Sequence, residues 1–570
     1  MKAVSPVAKP QAPVSWTDDL SQLRREATVS HANGKWAAAK KSFEQLVQKD
    51  GDNFKNWLGL GECWLNLDEP VRAQEMLRKA VALRPSDARA RLQLGRALDR
   101  DGRRLGALYQ WRTARTLKPR IELSTDERLR VAHSIDSLRA ALSDNGEHTI
   151  FLDISDVLRF LRRNLNLTGI QRVQVGIIVS VLQSHMAEGV QMGFCGRKIG
   201  SAHAVPLDLL SDLIDEINHP KISRSKLNEL LHAITEKSPE TSLKPGDVFL
   251  TLGVFWIFTS YAKTIAELKA QGVKVGVFVH DVIPLTHPDY FVFVHSIAYR
   301  VQFHRVMSII DFACATSGYV ASELKKAMSS KLNRSVPVVS VPLAQELPHA
   351  VADADAEFIA KLPKEYVLSV GTLEIRKNHM LLLDVWTALN RKYNGKVPTL
   401  VLVGKWGWKI KPFRRALENS GFVGGKIVVM GGISEARLAH LYRNCLFTVF
   451  PSFVEGWGLP VSESLAYGKP CITSKQSSMP EVGGALARYI DPFDTKSAQT
   501  TIERAIMDRV DLAEWTKMVR RNFKVRSWAM VTDDLLAGVT RVADNLRHKG
   551  KAAPGKIPSK TPDVRSRAFS

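Results

Sequence analysis

The chain has 570 residues, which corresponds to roughly three to four domains of about 150 residues and excludes a single small module. Hydrophobic residues make up 45% and charged residues 24%, a globular composition that excludes a mainly disordered or fibrous protein. The formal net charge of +23 favours an anionic partner, such as a nucleic acid, an anionic membrane surface or a phosphorylated substrate.

At the N-terminus, we expect residues 1–15 to be disordered. They lack the apolar centre of a signal peptide, and no apolar run in the chain reaches the roughly eighteen residues of a membrane span. Five cysteines, an odd number without a Cys-x-x-Cys pair, predict free thiols in a reducing compartment. We therefore predict a cytoplasmic protein.

A 34-residue period marks the next segment, residues 16–143, for which we predict helical repeats. The central unit has large, small and helix-ending residues at the offsets that two antiparallel helices require: Trp57, Leu60, Gly61, Trp64, Ala73, Leu77, Ala80 and Pro85. This pattern resembles the tetratricopeptide repeat, with three units from about residue 17 to 119. Two roles remain open: the repeats bind a protein partner in their concave face, or they only cap or dimerise the rest of the chain.

Short apolar strands then alternate with helical segments, in two series. The first series has strands within 148–155, 247–253 and 273–285, and the second within 366–373, 399–407, 426–433, 446–452 and 470–474. These series predict an α/β fold with two doubly wound, Rossmann-like domains at 146–350 and 363–546. Ligands of such sheets bind at the carboxyl ends of the strands, so the cleft between the domains is the expected site.

The segment 450–484 carries the most chemical information. A strand leads into a Gly-rich turn and then a helix that begins near Pro460. A proline at the helix start and the free amides of 456–461 predict an anion-binding helix N-terminus. Glu455 in the turn and Glu463 on the helix are placed to reach different parts of one extended ligand.

The spacing Glu455-x7-Glu463, with GWGLP between, resembles the signature of the retaining glycosyltransferases of family 4, which have the GT-B fold. Four further segments fit that family in order: TGIQRV from Thr168, HDVIPLTHPDYF from His280, VGTLEIRKNHMLLLDVW from Val370 and GGISEARLAHLYRNC from Gly431. The resemblance covers about residues 148–535. It implies an N-terminal acceptor domain and a C-terminal donor domain whose final helix crosses back onto the first.

The resemblance also implies a role for each matching side chain. Glu463 would accept hydrogen bonds from the donor's ribose hydroxyls, and Glu455 would hold hydroxyls of the transferred sugar. Arg376 and Lys377 would neutralise the donor diphosphate. His280 would lie near the anomeric carbon, where it joins Glu455 as a catalytic candidate.

Backbone positions complete the donor-binding candidates. Many family members have an arginine directly after the glycine of the first loop, Gly371, whereas this chain has Thr372. The other candidates provide amides or a close backbone approach to the ligand: Gly456, Trp457, Gly458, Leu459, Gly169 and Gly432.

Several of these side chains also have purely structural interpretations. Glu463 would stabilise its helix dipole, Lys377 would be a surface lysine, and His280 would be a hydrogen-bonded structural histidine. Asp281 either orients its loop or acts in the site. Glu481 either caps the adjacent loop or contacts the ligand.

We expect no metal and no cofactor, because the cleft-forming loops lack an Asp-x-Asp pair that would hold a divalent ion on a diphosphate. The family implies that the leaving phosphate itself takes the acceptor proton, which gives transfer with retention. The expected partners are a nucleotide-sugar donor and a glycan or lipid-linked acceptor, and no nucleic acid.

Basic segments also occur outside the predicted site. Residues 405–415 and 158–167 either rest on an anionic membrane, which would make the protein peripheral at the inner face of the plasma membrane, or form ordinary solvated surface. Residues 547–570 are rich in Lys, Arg, Pro and Gly and predict a basic disordered tail.

The segments around 371–379 and 451–470 look most like mannosyl- and related transferases of O-antigen or capsule assembly. We therefore predict transfer of a sugar, with GDP-mannose as the first donor to test, in bacterial surface polysaccharide synthesis. Two alternatives remain: a repeat-guided protein O-glycosyltransferase, and a repeat scaffold whose transferase half is inactive.

Overall fold

The computed structural model describes residues 16–101, 104–118, 120–124, 127, 148–165, 167–183, 189–217, 222–257, 260–346 and 354–551. The expected disordered segment 1–15 lies outside these residues, as do most of 125–147 and part of the expected join at 345–363. All five cysteines lie inside them and are free, and burial raises the pKa of each thiol, to about 12 for Cys63, Cys445 and Cys471. No helix in the described part is long and apolar enough to span a bilayer.

The described part of the repeat region consists of antiparallel helix pairs: Trp16–Ala32, Trp36–Lys49, Phe54–Asn66, Pro70–Leu83, Ala88–Arg100 and Arg104–Leu117. Glycines allow the close packing of the second and third pairs: a Cβ added to Gly61 would lie 2.5 Å from the Leu77 side chain. A Cβ added to Gly95 would lie 2.4 Å from the ring of Trp111. The helical repeat region is confirmed, and its 34-residue period reflects these contacts.

The first α/β domain is built on a sheet whose described strands run in the order β4-β3-β2-β1-β5-β6-β7-β8. Pairing is parallel except for β2 with β3 and β3 with β4. The strands are β1 Ile150–Asp153, β2 Val190–Cys195, β3 Ala202–Ala204, β4 Glu240–Thr241, β5 Val248–Thr251, β6 Lys274–Val279, β7 Phe312–Ala315 and β8 Val338–Ser340. Its helices are Ser155–Leu161, Gly169–Gln183, Leu207–Ile217, Arg224–Lys237, Tyr261–Ala270, Ile283–Thr286, Phe293–Met307 and Gly318–Leu332.

The second α/β domain has an all-parallel sheet with the order β11-β10-β9-β12-β13-β14. Its strands are β9 Tyr366–Val370, β10 Thr399–Val403, β11 Ile427–Met430, β12 Thr448–Phe450, β13 Cys471–Ser474 and β14 Arg488–Ile490. Its helices are Ala356–Ala360, His379–Lys392, Lys411–Asn419, Gly421–Gly425, Glu435–Asn444, Leu459–Ala466, Met479–Gly483, Thr495–Met507 and Arg509–Asn522. Each expected strand segment contains a strand, and the architecture of two doubly wound domains preceded by helical repeats is confirmed.

The final helix, Trp528–Lys551, returns to the first domain. Its Trp528 ring packs on Gly176, where an added Cβ would lie 2.3 Å from the indole. The helix continues to Lys551, past the expected start of the tail at residue 547, and Arg547 donates a 2.6 Å hydrogen bond to the Gly246 carbonyl. The prediction of disorder from residue 547 is therefore wrong for 547–551, and the remaining tail lies outside the described residues.

The repeats pack directly against the first α/β domain. Helix Arg104–Leu117 contacts helices Gly169–Gln183 and Leu207–Ile217. Tyr109, only 5% exposed, belongs to the same apolar core as that domain. The repeats and the first α/β domain therefore share a buried interface.

Candidate active site

The loop after β9 brings two cations into the cleft. Gly371, directly after the strand, has φ 149°, and a short 3-10 helix, Ile375–Lys377, follows. The neighbouring loop approaches so closely that a Cβ on Gly404 would lie 1.9 Å from the Gly371 carbonyl oxygen. This close backbone contact fixes the path of the loop that carries Arg376 and Lys377.

Glu455 lies between these two cations. One carboxylate oxygen is 2.7 Å from the Arg376 guanidinium, and the other is 2.5 Å from Lys377 Nζ. Burial opposes ionisation of Glu455, which is 7% exposed, but the charges of Arg376 and Lys377 outweigh it and lower its pKa to about 2. The structure thus brings together three residues that the sequence analysis singled out.

A second carboxylate, Glu374, completes this cluster. It lies 2.6 Å from the Arg376 guanidinium and is 1% exposed. Arg376 also donates a 2.7 Å hydrogen bond to the Val454 carbonyl, which ties the first loop to the Gly-rich turn. Sequence reasoning missed Glu374, although an acidic residue two positions before an arginine in a site loop is a visible local signal.

Two serines hydrogen-bond to the backbone of the Gly-rich turn. The Glu455 amide donates to Ser477 Oγ at 2.9 Å, and Ser478 Oγ donates to the Trp457 carbonyl at 2.7 Å. Gly458 has φ 111° and directly precedes the helix Leu459–Ala466, which has a proline at its start as expected. The ring of Trp457 is buried in the domain core, so only its backbone faces the turn.

The turn also contacts the first domain across the cleft. A Cβ on Gly456 would lie 2.2 Å from the His280 carbonyl oxygen. Ser317 Oγ donates a 2.9 Å hydrogen bond to the Gly456 carbonyl. A glycine is therefore required at position 456 by this close approach of two backbones.

His280 is placed by a hydrogen bond inside its own domain. Its Nε2 lies 2.7 Å from the Leu252 carbonyl oxygen, so Nε2 carries the proton and Nδ1 is the free acceptor. Burial lowers the pKa of His280 to about 4 and keeps the ring neutral at pH 7. Its neighbour Asp281 accepts a 3.1 Å hydrogen bond from the Ile283 amide and thereby orients the loop.

Glu463 joins the two domains. One of its oxygens is 3.2 Å from the Arg172 guanidinium of the first domain, and the other accepts a 2.7 Å hydrogen bond from the Tyr442 hydroxyl. Arg172 also pairs with Glu435. Sequence reasoning missed Arg172, although it lies in the quoted TGIQRV segment, three residues after Gly169.

Gly169 and Leu459 meet at the same boundary. A Cβ on Gly169 would lie 3.4 Å from the Leu459 side chain. Gly169 begins the helix that carries Arg172, and Leu459 begins the helix that carries Glu463. The starts of these two helices therefore face each other across the cleft.

Gly432 lines a separate cavity of about 490 Å³ at the ends of β10 and β11. Gly404, which abuts Gly371, also lines this cavity. Trp406, Arg414 and Glu418 provide an aromatic face, a cation and a carboxylate. The cavity is large enough for a nucleobase.

Glu481 spans the two domains away from these clusters. Its two carboxylate oxygens accept 2.7 Å hydrogen bonds from the amides of Gly318 and Tyr319, at the start of helix Gly318–Leu332. Of the two interpretations of Glu481, the structure supports a capping contact, but with the opposite domain.

Two parts of the chain match known protein families. The family described as Glycosyl transferases group 1 matches residues 351–522, and a Tetratricopeptide repeat family matches residues 30–93. The serotype-specific mannosyltransferase WbdA of Escherichia coli is 25% identical over 277 residues, which is 46% of this chain and 33% of WbdA. The O-antigen chain mannosyltransferase B of Escherichia coli is 27% identical over 235 residues, which is 40% of this chain and 60% of that protein.

Among solved structures, an α,α-trehalose 6-phosphate synthase from Burkholderia multivorans is similar over 72% of this chain and 100% of its own, with 13% identity and a TM-score of 0.45. The two curated relatives are matched over a third and three fifths of their own length. The chain therefore carries a glycosyl transferases group 1 domain joined to tetratricopeptide repeats.

Proposed function

We propose that the chain is a retaining, metal-independent glycosyltransferase that moves a sugar from a nucleotide-diphosphate donor to a glycan or lipid-linked acceptor. The observation that carries this proposal is the cluster of Glu455, Arg376 and Lys377 at the cleft. The two cations are placed to bind the diphosphate of a sugar nucleotide, and the carboxylate is placed to bind its sugar.

The two cations have a direct task in this reaction. Negative charge grows on the diphosphate as the glycosidic bond breaks, and preorganised cations stabilise that charge. In the proposed complex, Arg376 and Lys377 turn toward the diphosphate, and Glu455 is released to accept hydrogen bonds from the sugar hydroxyls. Because these cations supply the charge compensation, the reaction needs no divalent metal.

Glu463 is proposed to bind the donor's ribose. Its carboxylate is fixed by Arg172 and Tyr442, and each oxygen has a second lone pair to accept a hydrogen bond from a vicinal diol. His280 is proposed to lie beside the transferred sugar, where Nδ1 of its neutral ring accepts a hydrogen bond from a sugar hydroxyl. The leaving phosphate takes the acceptor's proton.

The proposed donor is GDP-mannose. The relatives WbdA and O-antigen chain mannosyltransferase B are named mannosyltransferases, which supports mannose. We propose that guanine enters the cavity beside Gly432 and opens the 2.8 Å ion pair between Arg414 and Glu418, so that Glu418 accepts from the adjacent N–H groups of the base. Arg414 is suited to donate to the guanine O6, and Trp406 offers a ring for stacking.

We further propose that the enzyme acts in the cytoplasm, in bacterial surface polysaccharide synthesis, and that its repeats bind a protein partner. The test is incubation with a panel of nucleotide sugars, with and without candidate glycan acceptors and with a chelator in a parallel series. The proposal expects release of GDP from GDP-mannose, an α-linked product that keeps the donor's anomeric configuration, and no effect of the chelator. Transfer to a polypeptide, or no release from any donor, would contradict it.

A further inference from the structure

An apolar strip lies exposed on helix Phe293–Met307 of the first α/β domain. Phe293 is 75% exposed and Val294 is 68% exposed, and Ile297 and Val301 continue the strip at 43% and 42%. Apart from the paired residues at its start, these positions follow helical spacing along one side. A soluble surface rarely presents a large phenylalanine and three aliphatic side chains together.

The helix that carries this strip has basic residues and no acidic ones, and the exposed Asp289 lies four residues before Phe293. No acidic residue occurs between positions 290 and 310. Arg300 and Arg305 lie on the exposed part of the same helix. An apolar strip flanked by arginines is the pattern of a helix that lies in the interface of an anionic bilayer.

The basic loop of the second domain reaches this region. Trp408 donates a 2.7 Å hydrogen bond to the Tyr290 carbonyl and stacks on Phe291 with ring centres 5.8 Å apart. Lys409 donates to the Asp289 carbonyl at 2.6 Å, and Lys411 is exposed nearby in the chain. The loop thus adds cations and an aromatic ring just before the exposed strip begins.

We propose that Phe293, Val294, Ile297 and Val301, together with Arg300 and Arg305, form a membrane-binding face for anionic lipid. The apolar side chains enter the interface between headgroups and acyl chains, and the arginines bind lipid phosphates. The loop Trp408–Lys411 lies at the edge of this face. Membrane binding does not depend on the proposed transfer reaction.

A bilayer fits this face better than a second copy of the chain does. From Phe293 to Val301 the strip is about 12 Å long, at about 1.5 Å per helical residue. A stable protein interface covers about 800 Å² on each partner, which is much larger than this strip. Two copies would also bring Arg300 and Arg305 of both chains together without an acidic residue of this helix to compensate.

The second basic segment that the sequence suggested, 158–167, lacks the apolar half of this pattern. Leu158 and Leu161 are buried in the domain core at 7% and 0% exposure. Arg162 hydrogen-bonds to Thr235 of the neighbouring helix. This segment therefore presents cations, but neither Leu158 nor Leu161 is exposed to enter a bilayer.

The face also lies close to the candidate active site. Tyr290 stacks on Phe453 across the cleft with ring centres 5.6 Å apart. Phe453 is two residues before Glu455 in the chain. A protein docked through this face therefore holds the cleft near the membrane surface.

The test is co-sedimentation of the full chain with vesicles of phosphatidylcholine alone and of phosphatidylcholine with about a third phosphatidylglycerol. The variants are the double substitution Phe293→Glu with Val294→Glu, and the pair Arg300→Gln with Arg305→Gln. The matched control is Val510→Glu, because Val510 is 70% exposed on helix Arg509–Asn522 of the other domain. Deletion of residues 552–570 measures the contribution of the tail.

We expect the full chain to bind the anionic vesicles at least tenfold more tightly than the neutral ones. The Phe293/Val294 variant should lose at least tenfold, the arginine variant should lose the preference for anionic lipid, and the Val510 control should bind like the wild type. All variants should melt at the same temperature as the wild type. Wild-type binding by the Phe293/Val294 variant, or loss of binding only on tail deletion, would overturn the proposal. A wild-type dimer that this variant splits would instead show that the strip joins two copies.

Discussion

The guanidinium of Arg172 lies 3.2 Å from the carboxylate of Glu463, across the boundary between the two α/β domains. The helix that carries Arg172 also packs against the repeats and against Trp528 of the final helix. One helix therefore contacts the candidate donor site, the repeat region and the C-terminal helix. Burial opposes the charged form of Arg172, but Glu463 and Glu435 outweigh it and raise its pKa.

The first prediction concerns Arg172. Arg172→Gln should weaken nucleotide diphosphate binding by about tenfold, because a charged hydrogen bond to Glu463 contributes on the order of 1.5–3 kcal/mol. The matched control is Arg437→Gln, which removes the more exposed pair with Asp355 and should leave binding unchanged. Calorimetric titration of both variants measures the effect. Equal affinities for the two would show that Arg172 does not position Glu463.

The second prediction separates the two glutamates. Glu463→Gln should mainly weaken binding of both donor and free nucleotide, because the ribose does not change during the reaction. Glu455→Gln should chiefly lower turnover, because positive charge develops on the sugar that Glu455 holds. Each loss should be roughly ten- to a hundred-fold, for a charged hydrogen bond of about 1.5–3 kcal/mol.

The glutamate variants must first be shown to fold, since Glu455→Gln leaves Lys377 without its carboxylate partner and leaves Arg376 paired with Glu374 alone. Thermal melting provides that control. Wild-type turnover in a folded Glu455 variant would contradict the proposed contact between Glu455 and the transferred sugar.

Much of the fold was predictable from local patterns. Runs of β-branched residues, as in Lys274–Val279, are strong strand signals, and a repeated spacing identifies helix pairs that pack through small residues such as Gly61. Strand Phe312–Ala315 was missed because it has no β-branched residue, whereas the equally short and buried Val248–Thr251 was predicted. Short buried strands of this kind are specified by their neighbours in the sheet.

Site residues could be predicted only where they lie in a motif within one short segment of the chain. Glu455, Lys377 and Glu463 lie in motifs that can be recognised locally. The pairing of Arg172 with Glu463 joins residues 291 positions apart, so it depends on how the two domains meet. The exposure of Phe293 runs against the usual burial of phenylalanine, which is why composition gave no hint of it.

The third prediction concerns the repeats. A truncated protein that begins near Asn145 should bind nucleotide diphosphate with unchanged affinity, because the residues placed at the candidate donor site all lie beyond position 165. It should melt at a lower temperature than the full chain, because the domain loses the packing of Tyr109. Tyr109→Ala in the full chain should lower the melting temperature in the same direction. Loss of nucleotide binding in a folded truncated protein would place part of the donor site in the repeats.

The fourth prediction concerns His280, whose pKa burial lowers from 6.5 to about 4. The unfolded chain then takes up this proton at a higher pH than the folded protein does. The stability that His280 contributes is therefore present above pH 6.5 and is lost as the pH falls toward 4, by about 1.4 kcal/mol per pH unit.

His280→Gln keeps a donor for the Leu252 carbonyl and removes this titration. Urea unfolding between pH 7 and about 4 should show a steeper loss of stability for the wild type than for the variant. His232→Gln, on an exposed helix position, is the control and should follow the wild type. Parallel curves for the wild type and His280→Gln would contradict a neutral buried histidine.

The most direct test of the proposed donor site is calorimetric titration of GDP and of guanosine into the wild type and Lys377→Met. If Lys377 neutralises the donor diphosphate, the substitution lowers the affinity for GDP by at least about tenfold, the loss of a charged hydrogen bond. It leaves the affinity for guanosine unchanged, because guanosine has no phosphate. Equal GDP affinity in the two proteins, or an equal loss for GDP and guanosine, would contradict the assignment of this cluster to a nucleotide-diphosphate donor.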